Sequence, residues 1–310
     1  MTMLGGRTPY GVAVDVVAIV NPTKADNLDA AQGQLNAAVR RLGHAPPSWV
    51  LTTWDDPGTG QAQRAVAAGA DLVLAWGGDG TCTAVAAGLA DTGVPLGLLP
   101  KGTGNLLARN LHVPLPFDDA VRVAFNGTNR AIDLMAVSLG HGQRGISTVM
   151  CGIGWDAAMM DVSEKVKARF GWGAYAFKAA RTARGHPMRM RVRVDDGEEF
   201  SFYGRTCIIA NVGMLTGGFS LLPEAKPDDG KLEVLVLDPT TLVDYARTSW
   251  GVFRGLPNAA DPARTLFRGT KAVVTTHRSQ SRQIDGDLVS DGHGFVVRIK
   301  PDALLVRVTP

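Results

Sequence analysis

The chain has 310 residues, of which 45% are hydrophobic and 20% are charged, a composition typical of globular proteins. This length is sufficient for two domains with separate hydrophobic cores. The formal net charge is only +3 and aromatic residues make up 6% of the chain, which argues against a dedicated nucleic-acid binder, so we expect no nucleic-acid partner.

Apolar segments and cysteines indicate the cellular compartment. The longest apolar segments are interrupted by charge or glycine before they reach the length of a bilayer, and the N-terminus lacks the pattern of a signal peptide. The cysteines, Cys82, Cys151 and Cys207, are far apart and show no zinc-ligand spacing, which favours small buried residues in a reducing compartment. The sequence therefore predicts a cytoplasmic protein.

Strands and helices alternate over residues 12–126. An apolar run predicts a strand at Val12–Val20, and apolar residues on one face predict a helix at Asn27–Leu42. Further strands are predicted near Trp49 and Leu72. This alternation predicts an α/β domain with a parallel, doubly wound sheet.

A glycine-rich turn, Gly77-Gly78-Asp79-Gly80-Thr81, separates a short apolar strand from an alanine-rich helix. Glycine permits positive φ and close approach of a ligand, and the first N–H groups of the helix point toward an anion. A carboxylate repels a polyphosphate unless a divalent cation or a water shell lies between them, so Asp79 is predicted to organise Mg²⁺–ATP while Thr81 donates to phosphate.

A second glycine turn follows the next predicted strand, residues 94–100. It has the sequence Lys101-Gly102-Thr103-Gly104-Asn105 and opens a short helix at Leu106–Asn110. One such turn alone is as often a plain strand-to-helix connection. Two of them at the carboxyl ends of neighbouring parallel strands predict a single phosphate-binding edge.

After about residue 126 the sequence pattern changes from alternating strands and helices to repeated strand-like runs. Strand-like runs separated by Asp-Gly turns predict an antiparallel β domain. The predicted strands are Arg189–Val194, Thr206–Ala210, Leu232–Leu237, Ala272–Thr276 and Phe295–Ile299.

Further segments, taken in order with the two glycine turns, resemble the catalytic domain of the diacylglycerol kinase family, which includes soluble bacterial lipid kinases and sphingosine kinases. The resemblance extends over nearly the whole chain. The additional segments are Asn21-Pro22, Cys151–Ala157, Ala210-Asn211 with Gly217-Gly218 and Pro223–Ala225, Asp228–Leu232, and Gln283–Asp287.

The resemblance implies an α/β N-terminal domain, with an NAD-kinase/diacylglycerol-kinase-like parallel sheet flanked by helices, and an antiparallel β-sandwich C-terminal domain. The active site would lie in the cleft between them. It also implies that the final strands return to the first domain. We therefore expect a nucleotide-binding domain of residues 1–126 plus about 295–310, and a lipid-substrate domain of residues 127–294.

The same resemblance implies an ATP-dependent, Mg²⁺-requiring lipid kinase that transfers the γ-phosphoryl group to a lipid hydroxyl at a membrane surface. Diacylglycerol, which would give phosphatidic acid, is the leading acceptor, while sphingosine-like bases and other lipids stay open. The sequence also leaves a homodimer open.

Two carboxylates near the C-terminus are the candidates for proton transfer. Asp285 lies where the family places the carboxylate that accepts the proton of the acceptor hydroxyl. The alternative is that Asp285-Gly286 is simply a hairpin turn. The family usually has Asp-Gly-Glu at this point, so Asp287 stands in the place of a glutamate.

Other residues match family positions near the nucleotide. Asn21 opens the chain segment that in relatives continues to a Gly-Lys pair, and Lys24 is the nearest basic residue here. Thr53, Thr103 and Asn105 match positions near the nucleotide or its phosphates. Asp133 would support Mg²⁺–ATP or the base, unless it is a solvent-facing residue at a strand end.

A structural Mg²⁺ is implied in the segment Lys226–Lys231. By position Asp229 would give a carboxylate oxygen, while Lys226 and Lys231 would give carbonyl oxygens, which are the hard ligands that Mg²⁺ prefers. The alternative is a solvated loop between two strands.

A basic and aromatic segment, residues 162–184, suits either a membrane surface or a core-packed amphipathic helix. Two further functions stay open. An NAD kinase shares the first glycine turn, although the chain lacks the serine-rich nicotinamide-binding segment of that family. A catalytically weak relative that binds nucleotide or lipid for regulation would explain Asp287 and the missing Gly-Lys pair.

Overall fold

The computed structural model describes residues 14–140, 142–154, 187–214, 222–237 and 264–310. The chain divides into two compact units, Met1–Ile132 with Asp302–Pro310, and Asp133–Pro301. Both passages between the units fall inside long strands. The boundary expected near residue 126 from the sequence pattern and the one expected near residue 295 from the family resemblance each come a few residues before the structural boundary. The basic segment 162–184 and parts of the motifs at 151–157 and 211–223 lie outside the described residues.

The first unit is built on a parallel sheet flanked by helices. Its sheet has the strand order β2-β1-β3-β4, and every neighbouring pair is parallel. The elements are β1 (Val16–Val20), α1 (Leu28–Arg41), β2 (Ser48–Leu51), α2 (Thr59–Ala67), β3 (Leu72–Gly77), α3 (Asp79–Leu89), β4 (Leu96–Pro100), α4 (Leu106–Asn110) and α5 (Phe117–Asn126).

The predicted helix at Asn27–Leu42 coincides with α1 and its caps. The Asn27 side chain accepts a hydrogen bond from the backbone N–H of Ala30 at 2.9 Å, which satisfies one of the unpaired donors at the start of the helix. Leu35 and Val39 are fully buried with residues of β1, β3 and α5 in one hydrophobic core. The apolar face seen in the sequence is thus the face that packs on the sheet.

The second unit consists of antiparallel strands. Their order is β12-β11-β10-β7-β13-β14, with β8 paired to β13 and β9 paired to β8. The elements are β5 (Thr128–Gly140), β6 (Gln143–Ser147), β7 (Met150–Gly154), β8 (Met188–Val194), β9 (Glu199–Gly204), β10 (Thr206–Ala210), β11 (Leu232–Leu237), β12 (Arg264–Gly269), β13 (Lys271–Ile284) and β14 (Asp287–Val308).

Two of the predicted strands are much longer in the structure. The runs predicted at 272–276 and 295–299 are the apolar parts of β13 and β14, which continue through charged and polar positions. Solvent-facing residues of an antiparallel sheet are polar, so hydropathy alone ended these strands too early. In the first unit, Val306 near the end of β14 pairs in parallel with Leu96 of β4. The parallel α/β unit and the antiparallel β unit confirm the predicted fold class.

Candidate active site

Four connections meet at the carboxyl edge of the parallel sheet. Because β1 to β4 all run in the same direction, the residues that follow them lie at one edge. Asn21 follows β1, Thr53 follows β2, Gly78 follows β3 and Lys101 follows β4. The structure therefore brings the two glycine turns to one edge, as the sequence predicts.

The two turns pack directly against each other. The backbone N–H of Lys101 donates to the carbonyl oxygen of Gly77 at 2.7 Å. A Cβ atom added to Gly102 would lie 2.7 Å from the Cα of Gly78, closer than side chains approach a backbone. A Cβ atom on Gly77 would lie 2.5 Å from the Cβ of Thr81. The contact between the turns thus requires glycine at Gly102, and the side chain of Thr81 within the first turn requires it at Gly77.

Asp79 joins the two turns through its carboxylate. One oxygen accepts from the backbone N–H of Asn105 at 2.8 Å and the other from that of Leu106 at 2.5 Å. Asp79 is the first residue of α3, and its carboxylate binds the N–H groups at the start of α4. Any contact of Asp79 with Mg²⁺–ATP would come in addition to these two hydrogen bonds.

Asn105 shapes the second turn from inside. It adopts a left-handed backbone conformation with φ of +49°, which asparagine tolerates better than most residues. Its side-chain oxygen accepts from the N–H of Gly102, and its side-chain nitrogen donates to the carbonyl of Gly102, both at 2.8 Å. Thr103, which lies between them, is exposed.

The start of α3 presents backbone donors at the same edge. Gly78 is the N-cap residue and provides no side-chain cap for the first turn, which contains Gly80 and Thr81. Thr81 is buried, and its hydroxyl oxygen accepts from the side-chain nitrogen of Asn21 at 3.1 Å. An accepting hydroxyl still has its own hydrogen to donate. The uncapped helix terminus suits an anion.

Lys24 and Thr53 differ in what their side chains contact. The side-chain Cε of Lys24 comes within 4.0 Å of the Cβ position of Gly78, so this cation reaches the first turn. The hydroxyl of Thr53 accepts from the N–H of Asp56 at 3.1 Å, within its own loop. Thr53 thus shares the edge, while its hydroxyl closes the loop before α2.

Asp285 forms a tight hairpin turn in the second unit. It connects β13 to β14 with Gly286, and both residues have positive φ, +48° and +92°. Ile284 and Asp287 are the strand pair that closes the turn. The hairpin alternative considered from the sequence is therefore correct for the backbone. The side chain of Asp285, however, is only 5% exposed.

The carboxylate of Asp285 accepts five hydrogen bonds from the segment Ser147–Met150. Ser147 donates its hydroxyl at 2.6 Å and Thr148 donates its hydroxyl at 2.9 Å. The backbone N–H groups of Thr148, Val149 and Met150 donate at 2.7, 3.0 and 2.9 Å. A proton arriving at this carboxylate would have to displace one of these donors.

Asp287 differs from Asp285 in exposure and in partners. Its side chain is accessible to solvent. Partial desolvation by the surrounding chain raises the pKa of Asp287 above its usual range, and the negative charge of Asp285 raises that pKa further. A raised pKa brings a carboxylate closer to the range in which it accepts and returns protons near neutral pH.

Asp133 lies in the second unit and is 1% exposed. Its carboxylate accepts from the N–H of Gly230 at 2.7 Å, and its own N–H donates to the carbonyl of Pro227 at 2.6 Å. The side-chain nitrogen of Asn211 donates to the carbonyl of Asp133 at 2.8 Å and to that of Thr148 at 3.4 Å. Asp133 is thus not a solvent-facing strand end, and it holds the loop that contains Asp229.

The residues proposed for a structural Mg²⁺ do not fit a metal in this arrangement. One oxygen of Asp229 accepts from the N–H of Lys231 at 3.0 Å, and the other is bonded to the guanidinium of Arg268. Arg268 also binds Glu233 at 3.0 Å. In the described ranges, no three acidic, histidine or cysteine side chains are grouped for a metal. Lys226 is exposed at the start of the loop.

Several residues of these networks were missed by the sequence reasoning. They are Ser147, Thr148, Glu233 and Arg268. Glu233 and Arg268 are paired across two strands that are distant in sequence, and burial raises the pKa of Glu233 while Arg268 partly offsets that effect. No local pattern marks any of the four, because each acts on a residue far away along the chain.

Comparison with known proteins assigns both units. The diacylglycerol kinase catalytic domain matches residues 15–137, and the YegS C-terminal NAD kinase beta sandwich-like domain matches residues 148–308. A probable YegS-like lipid kinase of Xanthomonas oryzae is 32% identical over 289 residues, which cover 89% of this chain and 90% of that protein. A probable YegS-like lipid kinase of Pectobacterium atrosepticum is 30% identical and covers 84% and 86%.

Solved structures agree on the fold. A putative diacylglycerol kinase from Bacillus anthracis superimposes with a TM-score of 0.77 at 20% identity, covering 96% of this chain and 97% of that one. Yeast NADH kinase superimposes with a TM-score of 0.53 at 11% identity, covering 96% and 84%. The described strands, the matched domains and the sequence identity over most of the chain give one answer: this protein is a kinase, and it belongs to the family of YegS-like lipid kinases that carry the diacylglycerol kinase catalytic domain.

Proposed function

We propose that this kinase transfers the γ-phosphoryl group of ATP to the hydroxyl group of a lipid, with diacylglycerol as the leading acceptor. The observation that carries the proposal is the pair of glycine turns at one edge of the parallel sheet, joined by the carboxylate of Asp79. Turns of this kind expose backbone donors to a polyphosphate.

The nucleotide is assigned to the first unit. The phosphates would approach Gly78, Gly80 and Gly102, where side chains are absent, with Lys24 as the nearby cation. Asn21 would act through Thr81, whose hydroxyl it orients. Mg²⁺, when bound with ATP, would neutralise the charge that develops on the phosphates during transfer.

The two carboxylates of the β13–β14 hairpin take different roles in this proposal. Asp287, which is accessible and has a raised pKa, would accept the proton of the acceptor hydroxyl. Asp285 would position the hairpin, because both of its oxygens already accept hydrogen bonds. This assignment moves the general base from Asp285, where the family resemblance placed it, to Asp287.

The lipid is assigned to the second unit. A cavity of about 580 Å³ lies beside the β13–β14 hairpin, with Leu139, Phe295 and Val296 among its apolar lining residues and Ser138 and Ser290 among its polar ones. This volume lies in the range of small-molecule sites in proteins. Its lining also includes Arg282, Asp291 and His293, and this mixture of apolar, hydroxyl and charged side chains suits a lipid with a polar head.

We also propose that the enzyme meets its lipid at a membrane surface. Strand β8 exposes arginines at alternate positions, Arg189, Arg191 and Arg193, and such cations are attracted to anionic lipids. Within the described ranges, no helix combines the length and the hydrophobicity needed to cross a membrane.

The homodimer that the sequence leaves open is tested separately. Light scattering on the purified enzyme measures whether it is a monomer or a homodimer.

The test is the transfer of labelled γ-phosphate from ATP, with Mg²⁺, to diacylglycerol, ceramide, sphingosine, monoacylglycerol and NAD⁺ in parallel. Asp79→Asn is the inactive variant that we expect, since it disrupts the link between the turns. Asp71→Asn is the matched control, because Asp71 precedes the opposite end of the same strand and its carboxylate accepts from the backbone N–H of Asp15, away from the glycine turns.

Each outcome of this experiment indicates a different function for the site. Product on a lipid that is lost in Asp79→Asn and kept in Asp71→Asn supports the proposal and names the acceptor. Product on NAD⁺ alone would show that the same fold serves the other kinase family. ATP binding without any product would indicate a regulatory protein that binds nucleotide.

A further inference from the structure

Arg268 lies at the centre of a charged cluster at the edge of the second unit. It is on β12, directly opposite Glu233 of β11 in the strand register. Its Nε donates to a carboxylate oxygen of Glu233 at 3.0 Å, and its terminal nitrogen donates to a carboxylate oxygen of Asp229. One guanidinium therefore binds two acidic side chains from different elements.

The loop that contains Asp229 is closed by protein groups. The second oxygen of Asp229 accepts from the N–H of Lys231 at 3.0 Å. Asp133 accepts from the N–H of Gly230 and donates to the carbonyl of Pro227. The loop thus has a carboxylate clamp on one side and the guanidinium on the other.

We infer that Arg268 takes the place of the loop cation that the family resemblance implies, so that the loop Lys226–Lys231 keeps its conformation without a divalent metal. A guanidinium is always charged and presents its donors in a fixed fork that matches carboxylates. Mg²⁺ demands oxygen ligands at about 2.0–2.1 Å in octahedral geometry. Both cations would bind the carboxylate of Asp229, so the bound guanidinium excludes the metal.

Removal of the Arg268 guanidinium changes the charge balance of the two carboxylates that it binds. Glu233 is only 4% exposed, so removal of Arg268 leaves a buried carboxylate beside a second carboxylate, that of Asp229. Two neighbouring carboxylates without a counter-charge repel each other and attract a cation. The substitution therefore converts this corner into a site for a divalent cation.

The experiment compares thermal unfolding of the nucleotide-free enzyme in EDTA and in millimolar MgCl₂. We expect the wild-type midpoint to be the same in both solutions. Arg268→Ala should melt roughly 3–6 °C lower than wild type in EDTA and recover at least half of that loss in MgCl₂. Arg268→Gln, which keeps most of the side-chain length, should respond to Mg²⁺ in the same way.

The matched control is Arg191→Ala, which removes an exposed arginine from another carboxylate pair of the same unit, Arg191 with Glu199. This variant should not respond to Mg²⁺. A wild-type midpoint that falls in EDTA and returns with Mg²⁺ overturns the inference, because Arg268 and a metal would then be present together. Arg268 variants that are destabilised but do not respond to Mg²⁺ overturn it as well.

Discussion

The two units build their candidate sites differently: the first brings two short glycine turns together, and the second surrounds one buried carboxylate with donors from a distant segment. In the first, Gly77, Gly78 and Gly102 bring two turns into contact, and Asp79 binds backbone N–H groups. In the second, Asp285 accepts hydrogen bonds from two hydroxyls and three backbone donors. Short motifs therefore mark the first site clearly, while the second is assembled from distant segments.

This difference also separates the two aspartates of the hairpin. Asp285 is buried and fully engaged, whereas Asp287, two residues later, is accessible. These two carboxylates thus have different surroundings, because Asp285 lies in the turn itself and Asp287 begins β14. Substitutions at the two positions should therefore separate a carboxylate that stabilises the fold from one that takes part in the reaction.

The largest effect is expected for Asp285→Ala. Three backbone N–H groups lose their acceptor, and buried unsatisfied donors cost about 1–3 kcal/mol each. We expect a melting temperature roughly 5–10 °C below wild type together with loss of phosphoryl transfer. Asp196→Ala, in the exposed turn between β8 and β9, is the control. An Asp285→Ala variant that melts like wild type would contradict a stabilising role for these hydrogen bonds.

The next largest effect is expected for Gly102→Ala, which tests the contact between the glycine turns. Gly102→Ala places a Cβ atom 2.7 Å from the Cα of Gly78, so the turns must separate. We expect ATP affinity to fall about 100-fold, as measured by calorimetry, since the phosphate-facing backbone loses its arrangement. Gly33→Ala is the matched control, because a Cβ atom at Gly33 in α1 meets nothing within 4 Å. Equal ATP affinities of the two variants would show that the turns do not need to touch.

A pH profile tests Asp287. Transfer requires its charged form, so the rate should fall as the pH drops through the raised pKa, at a higher pH than for an ordinary aspartate. Asp287→Asn should lower kcat by about 10²–10⁴-fold and remove this acid limb. Asp287→Glu should retain activity. A near-normal kcat in Asp287→Asn would show that another group is the general base.

The smallest effect concerns Cys82, in the first turn of α3. Burial, with a further contribution from the charge of Asp79, raises the pKa of Cys82 to about 12, so the thiol stays protonated at neutral pH. We expect no reaction with a thiol reagent in the folded enzyme and full reaction after denaturation. Rapid labelling of Cys82 in the native protein would mean that the start of α3 opens readily.

Much of the fold could be predicted from the sequence because its signals are local. The apolar face of α1, the Asn27 cap and the two glycine turns are each encoded within a few residues. The five donors to Asp285 and the pairing of Arg268 with Glu233 could not be predicted, since register between strands decides them. Hydropathy also ended β13 and β14 too early, because their outer faces are polar.

The amide of Asn211 lies between two otherwise separate features. It donates to the carbonyls of Asp133 and Thr148, so the loop Lys226–Lys231 and the Asp285 hairpin are connected by a continuous series of hydrogen bonds. Hydrogen exchange would report this connection as a single opening event. The amide protons of Val149, Met150 and Gly230 should exchange at a common rate, although they belong to different segments.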